Sequence, residues 1–193
     1  SGSQTTGSLS ELKSFDIEFD DGPLTEDETV PSDESDPSYE DYVENYTVKD
    51  IVEVVWSGTA TTFSGAVDKV SITCEGTDVT ITSSEKGMCY VLKGNCPDGM
   101  VSIYSDYKFR LDIEGLTLSN ADGPAINIQS GKRAYVILSG TNTLTDGPAY
   151  ATSEEDRKGT FFSEGQLCFS GTGTLNVIAN HKNGIVSDDY LFF

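Results

Sequence analysis

The chain has 193 residues, with 32 Asp and Glu against 12 Lys and Arg, a formal net charge of −20 and a pI near 4.1. A polyanion of this kind repels phosphate backbones and anionic lipid, which argues against nucleic acid and charge-driven membrane binding. No apolar run approaches the ~18 residues of a membrane span, so membrane insertion by the chain itself is not expected, whereas divalent cations and neutral ligands stay compatible.

The charge is uneven: 15 of the acids but only 2 of the bases precede Ile51. Residues 1–50 mix acids with Ser, Pro and Thr and carry few aliphatics, too little apolar surface to offset the entropy of ordering. They are predicted to form an acidic, largely flexible tether kept extended by like charges. Within it Phe15, Ile17 and Phe19 alternate with acids, which allows a short strand to dock. The opening Ser-Gly-Ser-Gln-Thr-Thr-Gly has neither a charged nor an apolar leader core. It fits a mature exported protein after removal of a targeting segment, or an artificial end.

From Ile51 the composition changes to short β-type runs broken by Gly, Asn, Asp and Ser. They fall at residues 51–56, 70–74, 79–82, 90–92, 101–104, 109–113, 116–118, 125–128 and 135–138. Further runs follow at 161–162, 166–169, 175–178, 184–186 and 190–193. No 3.6-residue apolar pattern of helical length occurs, so residues 51–193 are predicted as an all-β domain.

Four segments of this domain superpose. Asp78-Val-Thr-Ile-Thr-Ser precedes Lys86-Gly-Met-Cys-Tyr-Val-Leu92, and Gly115-Leu-Thr-Leu-Ser-Asn precedes Asp122-Gly-Pro-Ala-Ile-Asn-Ile128. Thr141-Asn-Thr-Leu-Thr-Asp precedes Lys158-Gly-Thr-Phe-Phe-Ser163 after an insert, and Gly173-Thr-Leu-Asn-Val-Ile precedes Asn183-Gly-Ile-Val-Ser187. Each reads as strand, polar corner, glycine, strand. Aligning Ile126 with Phe162 and Phe162 with Val186 gives a rung of roughly 24 residues with a loop insert at 147–157. That is the pattern of a parallel β-helix, a single-chain solenoid whose apolar residues stack rung on rung. An antiparallel sandwich gives similar strands but does not explain the recurring glycine–strand register.

The segments Asp122-Gly-Pro-Ala-Ile-Asn-Ile-Gln-Ser-Gly-Lys-Arg133, Gly140-Thr-Asn-Thr-Leu-Thr-Asp-Gly147, Lys158-Gly-Thr-Phe-Phe-Ser-Glu-Gly165 and Asn183-Gly-Ile-Val-Ser-Asp-Asp189 resemble the bacterial carbohydrate-binding domain-containing proteins. The likeness runs from about Trp56 to Phe193. It implies a right-handed parallel β-helix, exported and often lipid-anchored at the cell surface or outer membrane, that binds polysaccharide, with acidic plant-wall polymers or host glycans as the ligands it suggests, and carries calcium at acidic corners. Members of the family normally continue beyond the Ser-Asp-Asp segment. Tyr190-Leu-Phe-Phe193 then reads as the first strand of a further rung, so the chain is expected to be a fragment of a longer protein, the alternative being that a partner or second copy covers its incomplete C-terminal end.

Five carboxylates are candidate calcium ligands: Asp122, Asp146, Glu164, Asp188 and Asp189. Stacked rungs would bring equivalent corners to ~4.8 Å, where two or three carboxylates with backbone carbonyls supply the oxygens calcium takes. The alternative is solvated turn residues capping backbone amides. For polysaccharide, the candidates are Tyr104, Tyr107 and Tyr135, whose rings can pack on sugar faces, and Arg110 and Arg133, which can pair with uronate carboxylates. Tyr150 falls at a similar place near a loop, and the alternative for all of these aromatics is a place in the core or in cross-rung stacks. Trp56 is expected to cover the N-terminal end of the coil.

A catalytic role is the competing reading, because β-helices host lyases and hydrolases. Arg110, Arg133 and Arg157 are the only arginines, and Asp188 and Asp189, being consecutive, point to opposite sides. A non-catalytic binding module is therefore expected, with a structural adhesin as the other alternative, for which Ser153-Glu-Glu-Asp-Arg157 would be a contact loop. Cys74, Cys89, Cys96 and Cys168 lack zinc spacing. They are four buried thiols, or Cys89 and Cys96 close a small loop. The single histidine, His181, argues against a His-rich metal site.

Overall fold

A computed structural model describes the strand Ser14–Glu18 and residues 29–193. Runs of β-branched and aromatic residues, cut by Gly, Ser and Asp, favour pleated strands, and the described chain is all-β. Among the described residues, helical geometry is limited to three 3-10 turns, Tyr39–Asp41, Val43–Asn45 and Val67–Lys69.

Two sheets carry the architecture, one of ten strands and one of six. The six-stranded sheet holds β4 (Ser71–Glu75), β5 (Asp78–Ser83), β7 (Met100–Ser105), β9 (Ile126–Ile128), β12 (Gly159–Ser163) and β15 (Asn183–Ser187). The ten-stranded sheet has two runs. One joins β2 (Asp50–Ser57), β6 (Met88–Cys96), β8 (Phe109–Ser119), β10 (Ala134–Ser139), β13 (Leu167–Gly171) and β16 (Leu191–Phe192). The other runs from the far half of β8 through β11 (Thr141–Thr145) to β14 (Thr174–Ile178). Neighbours in all three runs are parallel except at the N-terminal end. There β2 pairs antiparallel with β3 (Ala60–Gly65), and β4 with β5. The strand β3 was not anticipated, because Ala-Thr-Thr-Phe-Ser-Gly is polar and lies almost wholly at the surface.

The ladders show how the core is built. Val101, Ile126, Phe161 and Ile185 pair in sequence, and so do Tyr90, Leu111, Val136 and Phe169. All except Phe169 are fully enclosed. Like residues therefore stack every ~4.8 Å, and each pass of the chain buries its apolar face against the passes on either side. Two details of the expected repeat change. Ile126 pairs with Phe161, not Phe162. The segment beginning at Asp78 lies on the six-stranded sheet, whereas those beginning at Gly115, Thr141 and Gly173 lie on the ten-stranded one. Its true equivalent begins at Gly94, which pairs with Leu116. Every face of the molecule is strand, corner, glycine, strand, so pattern alone cannot separate them.

Gly94 marks the bend in β6. Its φ of +100° is in the region reserved for glycine, and a Cβ there would lie 2.0 Å from the Trp56 carbonyl oxygen. Trp56 itself is buried near the N-terminal end and donates its indole N–H to the Thr77 carbonyl at 3.1 Å.

The tether departs from expectation over its last third. Tyr46 donates its hydroxyl to the Met88 carbonyl at 2.7 Å, and its ring lies 5.3 Å from that of Tyr135. Residues 39–46 thus lie across the outer face of the ten-stranded sheet, because Tyr39, Tyr42, Val43 and Tyr46 supply apolar surface the acids mask in a composition count. The expected docking strand is present as β1 (Ser14–Glu18), antiparallel to β14 with Ser14 opposite Ile178. Phe19 and the remainder of the predicted tether up to residue 28 lie outside the described residues. All four cysteines are free. Cys89 and Cys96 lie on one extended strand, which cannot close a loop, and Cys74 is exposed, not buried as expected.

Candidate functional site

Five corners join the six-stranded sheet to the ten-stranded one, and each starts with a serine. Ser83, Ser105, Ser130, Ser163 and Ser187 accept hydrogen bonds at 3.1–3.3 Å from the backbone N–H two residues on. This is the serine turn, in which the hydroxyl replaces a backbone acceptor. Four of the five serines stand four residues before the next strand: Ser105 before Phe109, Ser130 before Ala134, Ser163 before Leu167 and Ser187 before Leu191. Those strand residues pair in series, so the corners stack in register.

That register places side chains of the same corner position one above another. Immediately before the strands stand Lys108, Arg133, Gln166 and Tyr190; one position earlier come Tyr107, Lys132, Gly165 and Asp189. Lys86 occupies the corresponding place in the first corner. All of these except Gly165 and Tyr190 line a groove of about 550 Å³ that runs along the stack. In a chain of net charge −20, four basic side chains, Lys86, Lys108, Lys132 and Arg133, face this one groove. At Gly165 two neighbouring corners approach closely, since a Cβ there would lie 2.2 Å from the Lys132 carbonyl oxygen.

Tyr107 is exposed, with Lys86 Nζ 5.0 Å from its ring centroid. Arg133 is fixed rather than free. Its Nε donates to Gln166 Oε1 at 2.7 Å and its Nη2 to the Tyr190 hydroxyl at 3.3 Å. Its Nη1 lies 3.0 Å from Asp41 Oδ1, an ion pair without hydrogen-bond alignment. Lys108 Nζ contacts Glu40 Oε1 at 3.0 Å, and this bond holds the Glu40 carboxyl below its usual pKa. Lys132 makes no ion pair among the described residues.

Of the five residues expected to bind sugar, Tyr107 and Arg133 reach the groove. Tyr135 does not: its ring is 1% exposed beneath residues 40–46, its hydroxyl donates to the Glu40 carbonyl at 2.5 Å, and burial pushes its pKa up to about 12. Arg110 is spent on Asp112, with Nε and Nη2 each 2.8 Å from a carboxylate oxygen, and Asp112 holds the guanidinium charged. Tyr104 faces a separate shallow cleft with Ser71, Thr82 and Gln129, and its hydroxyl donates to Glu155. Burial, then that bond, lifts its pKa to about 12. The candidate contact loop holding Glu155 is pinned down, since Gln129 also donates to the Asp156 carbonyl at 2.8 Å. Tyr150 donates to Asp146 at 2.5 Å and packs its ring 4.4 Å from His181.

The predicted metal ligands are dispersed. Glu164 and Asp188 share a corner position on adjacent passes, but Lys158 Nζ sits 2.5 Å from Asp188. Asp189 lines the groove. Asp146 is buried and accepts the Asn180 backbone N–H at 2.6 Å as well as the Tyr150 hydroxyl. Asp122 stands near Asp78, whose carboxyl is raised in pKa by burial and then by Asp122, Asp98 and Glu75. Among the described residues no three carboxylate, histidine or cysteine side chains converge as a metal set. Calcium takes about six to eight oxygens, and of the five carboxylates Asp188 is taken up by Lys158 and Asp146 by Tyr150 and the Asn180 amide.

Lys86, Lys108 and Lys132 were missed as site residues. The signal was available, since a serine, a short polar corner and a base precede three successive apolar strands, at Met88, Phe109 and Ala134.

The profile of the carbohydrate-binding domain-containing protein family matches residues 75–193. No curated protein matches the sequence. A solved structure of the polysaccharide lyase-like protein from C. thermocellum, a gadolinium derivative, superposes with a TM-score of 0.62 at 24% identity. The match covers 70% of this chain and 55% of that one, so this chain spans little more than half of that relative's length. At this identity the likeness is one of fold.

Proposed function

We propose that this chain, which belongs to the family of carbohydrate-binding domain-containing proteins, is a non-catalytic module that binds acidic polysaccharide along the groove of stacked corners. The observation that carries the reading is the concentration of Lys86, Lys108, Lys132 and Arg133 beside the exposed ring of Tyr107 in a strongly acidic protein. Uronate carboxylates would meet the basic side chains while a sugar face packs on the ring. The stacked corners repeat every ~4.8 Å, a period on the scale of a sugar unit, so a polymer lying along the stack meets at least one base at each of three successive corners, those of Lys86, Lys108 and Lys132 with Arg133.

The parallel ladders and shared corners support reading the fold as a right-handed parallel β-helix, in which the groove follows the solenoid axis. Export and a place at the cell surface belong to the same proposal, since polymeric acidic glycans lie outside the cell. Calcium is given no part in it, because the described carboxylates do not gather. Catalysis is given none: Arg110 and Arg133 are already bound by Asp112, Gln166 and Asp41, which leaves neither as a free base, and Lys86 and Lys132, which have no carboxylate partner among the described residues, are assigned to binding uronate.

Calorimetric titration with polygalacturonate tests the reading. Binding that weakens with added salt and is lost in Lys86→Ala/Lys132→Ala supports it. Absence of binding, or accumulation of unsaturated product, contradicts it.

A further inference from the structure

The four bases of the groove do not face solvent alike. Lys86 and Lys132 are free of carboxylate partners among the described residues, whereas Lys108 and Arg133 are met by Glu40 and Asp41. These two consecutive acids come from a segment 67 or more positions earlier in the chain: Glu40 is one of the residues that line the groove, and Asp41 pairs with Arg133, another of them. The segment is preshaped for this. Asn45 Nδ2 donates to the carbonyls of Pro31 and Tyr39 at 2.9 and 3.0 Å, closing residues 31–45 into a compact fold. Tyr46 and the Tyr135 hydroxyl then fasten it to the sheet.

We propose that Glu40 and Asp41 act as an internal stand-in for ligand carboxylates, occupying Lys108 and Arg133 until an acidic polysaccharide displaces them. This rests on the reading of the groove as an acidic-polysaccharide site. The chemistry is an exchange of like for like. A uronate carboxylate replaces a side-chain carboxylate on the same cation, and the displaced segment keeps its carboxylates charged in solvent. The contacts being replaced are suited to exchange. Glu40 is 62% exposed at its side chain and Lys108 38%, so their ion pair is weak and screened. Asp41 is better enclosed, at 17% against 11% for Arg133. Displacement therefore begins at Lys108 and ends at Arg133. Short or weakly charged glycans would engage only Lys86, Tyr107 and Lys132, and a longer polyuronate would gain the two remaining cations. The segment thus sets a threshold of ligand charge and length.

The test is the double variant Glu40→Gln/Asp41→Asn in the full chain, titrated with polygalacturonate and with a neutral glucan. The expected result is polygalacturonate binding about three- to tenfold tighter than wild type, the gain from removing two competing ion pairs, with no change toward the neutral polymer. Wild-type binding that is unchanged or weakened in the variant overturns the inference and leaves the groove reading intact. Absence of binding in both proteins overturns both. Hydrogen exchange on the unaltered protein gives an independent readout. Amides of residues 40–46 should exchange faster when polygalacturonate is added; unchanged or slower exchange contradicts displacement even if the variant folds poorly.

Discussion

Lys86 Nζ lies 5.0 Å from the centroid of the Tyr107 ring, so that a base from one corner and an aromatic from the next form a single surface. The contact follows from register alone, since both residues occupy the same corner position on successive passes. It orients a ring that would otherwise swing freely at the surface. Replacing Tyr107 with Ala should weaken polygalacturonate binding about threefold to tenfold, as expected for loss of one ring contact. It should leave the melting temperature within about 1 °C, since the side chain is exposed. Calorimetry paired with thermal unfolding checks both.

Tyr135 gives the opposite expectation. Its hydroxyl is buried and serves the Glu40 carbonyl, not a ligand. Tyr135→Phe should cost about 1 kcal/mol, a fall of roughly 3 °C in melting temperature for a domain of this size, without any loss of polygalacturonate affinity. A loss of affinity at unchanged stability would place the hydroxyl in contact with ligand.

Much of this was legible in the sequence, and the reasons for the rest are physical. The strand runs, the docking strand at Ser14–Glu18 and the glycine–strand repeat all follow from local pattern, and the repeat brings Ile126 onto the strand of Phe161 and Phe162, though one residue out of register. Tyr135 was misplaced because only the cover laid down by residues 39–46 decides which strand positions are open, and Arg110 because Asp112, two residues on and so on the same strand face, takes up its guanidinium. The groove lysines escaped notice because charged corner residues are usually solvated. They acquire meaning only when the four-residue spacing from each serine shows that the corners stack.

Ser130 tests that spacing. It is buried, donates to the Ser105 carbonyl at 2.5 Å and accepts the Lys132 N–H at 3.3 Å, so it fixes the corner that carries Lys132 and Arg133. Ser130→Ala leaves that N–H without its acceptor, at a cost of about 1–2 kcal/mol. It should also lower polygalacturonate affinity about threefold by loosening Lys132. Stability lost with affinity intact would mean that the corner holds its shape without the serine.

Asp78 carries the pH expectation. Burial and the nearby Asp122 and Asp98 raise its folded-state pKa. The folded state therefore holds that proton more tightly than the unfolded state does, and the ionised carboxylate opposes folding above the ordinary carboxylate range. As pH falls through the raised pKa the penalty disappears. Asp78→Asn should raise the melting temperature at neutral pH by about 1–2 °C, a small figure because the site is partly solvated and screened. The gain should shrink as the pH is lowered toward the carboxylate range, and a gain that persists or grows there contradicts this account.

The central claim is that the stacked corners recognise negative charge on a polysaccharide. The most direct measurement is the affinity of the full chain for polygalacturonate beside its methyl-esterified form, the same backbone with its carboxylates masked. The account predicts that masking weakens binding at least tenfold and removes most of its salt dependence. Equal affinity for the two polymers would contradict it.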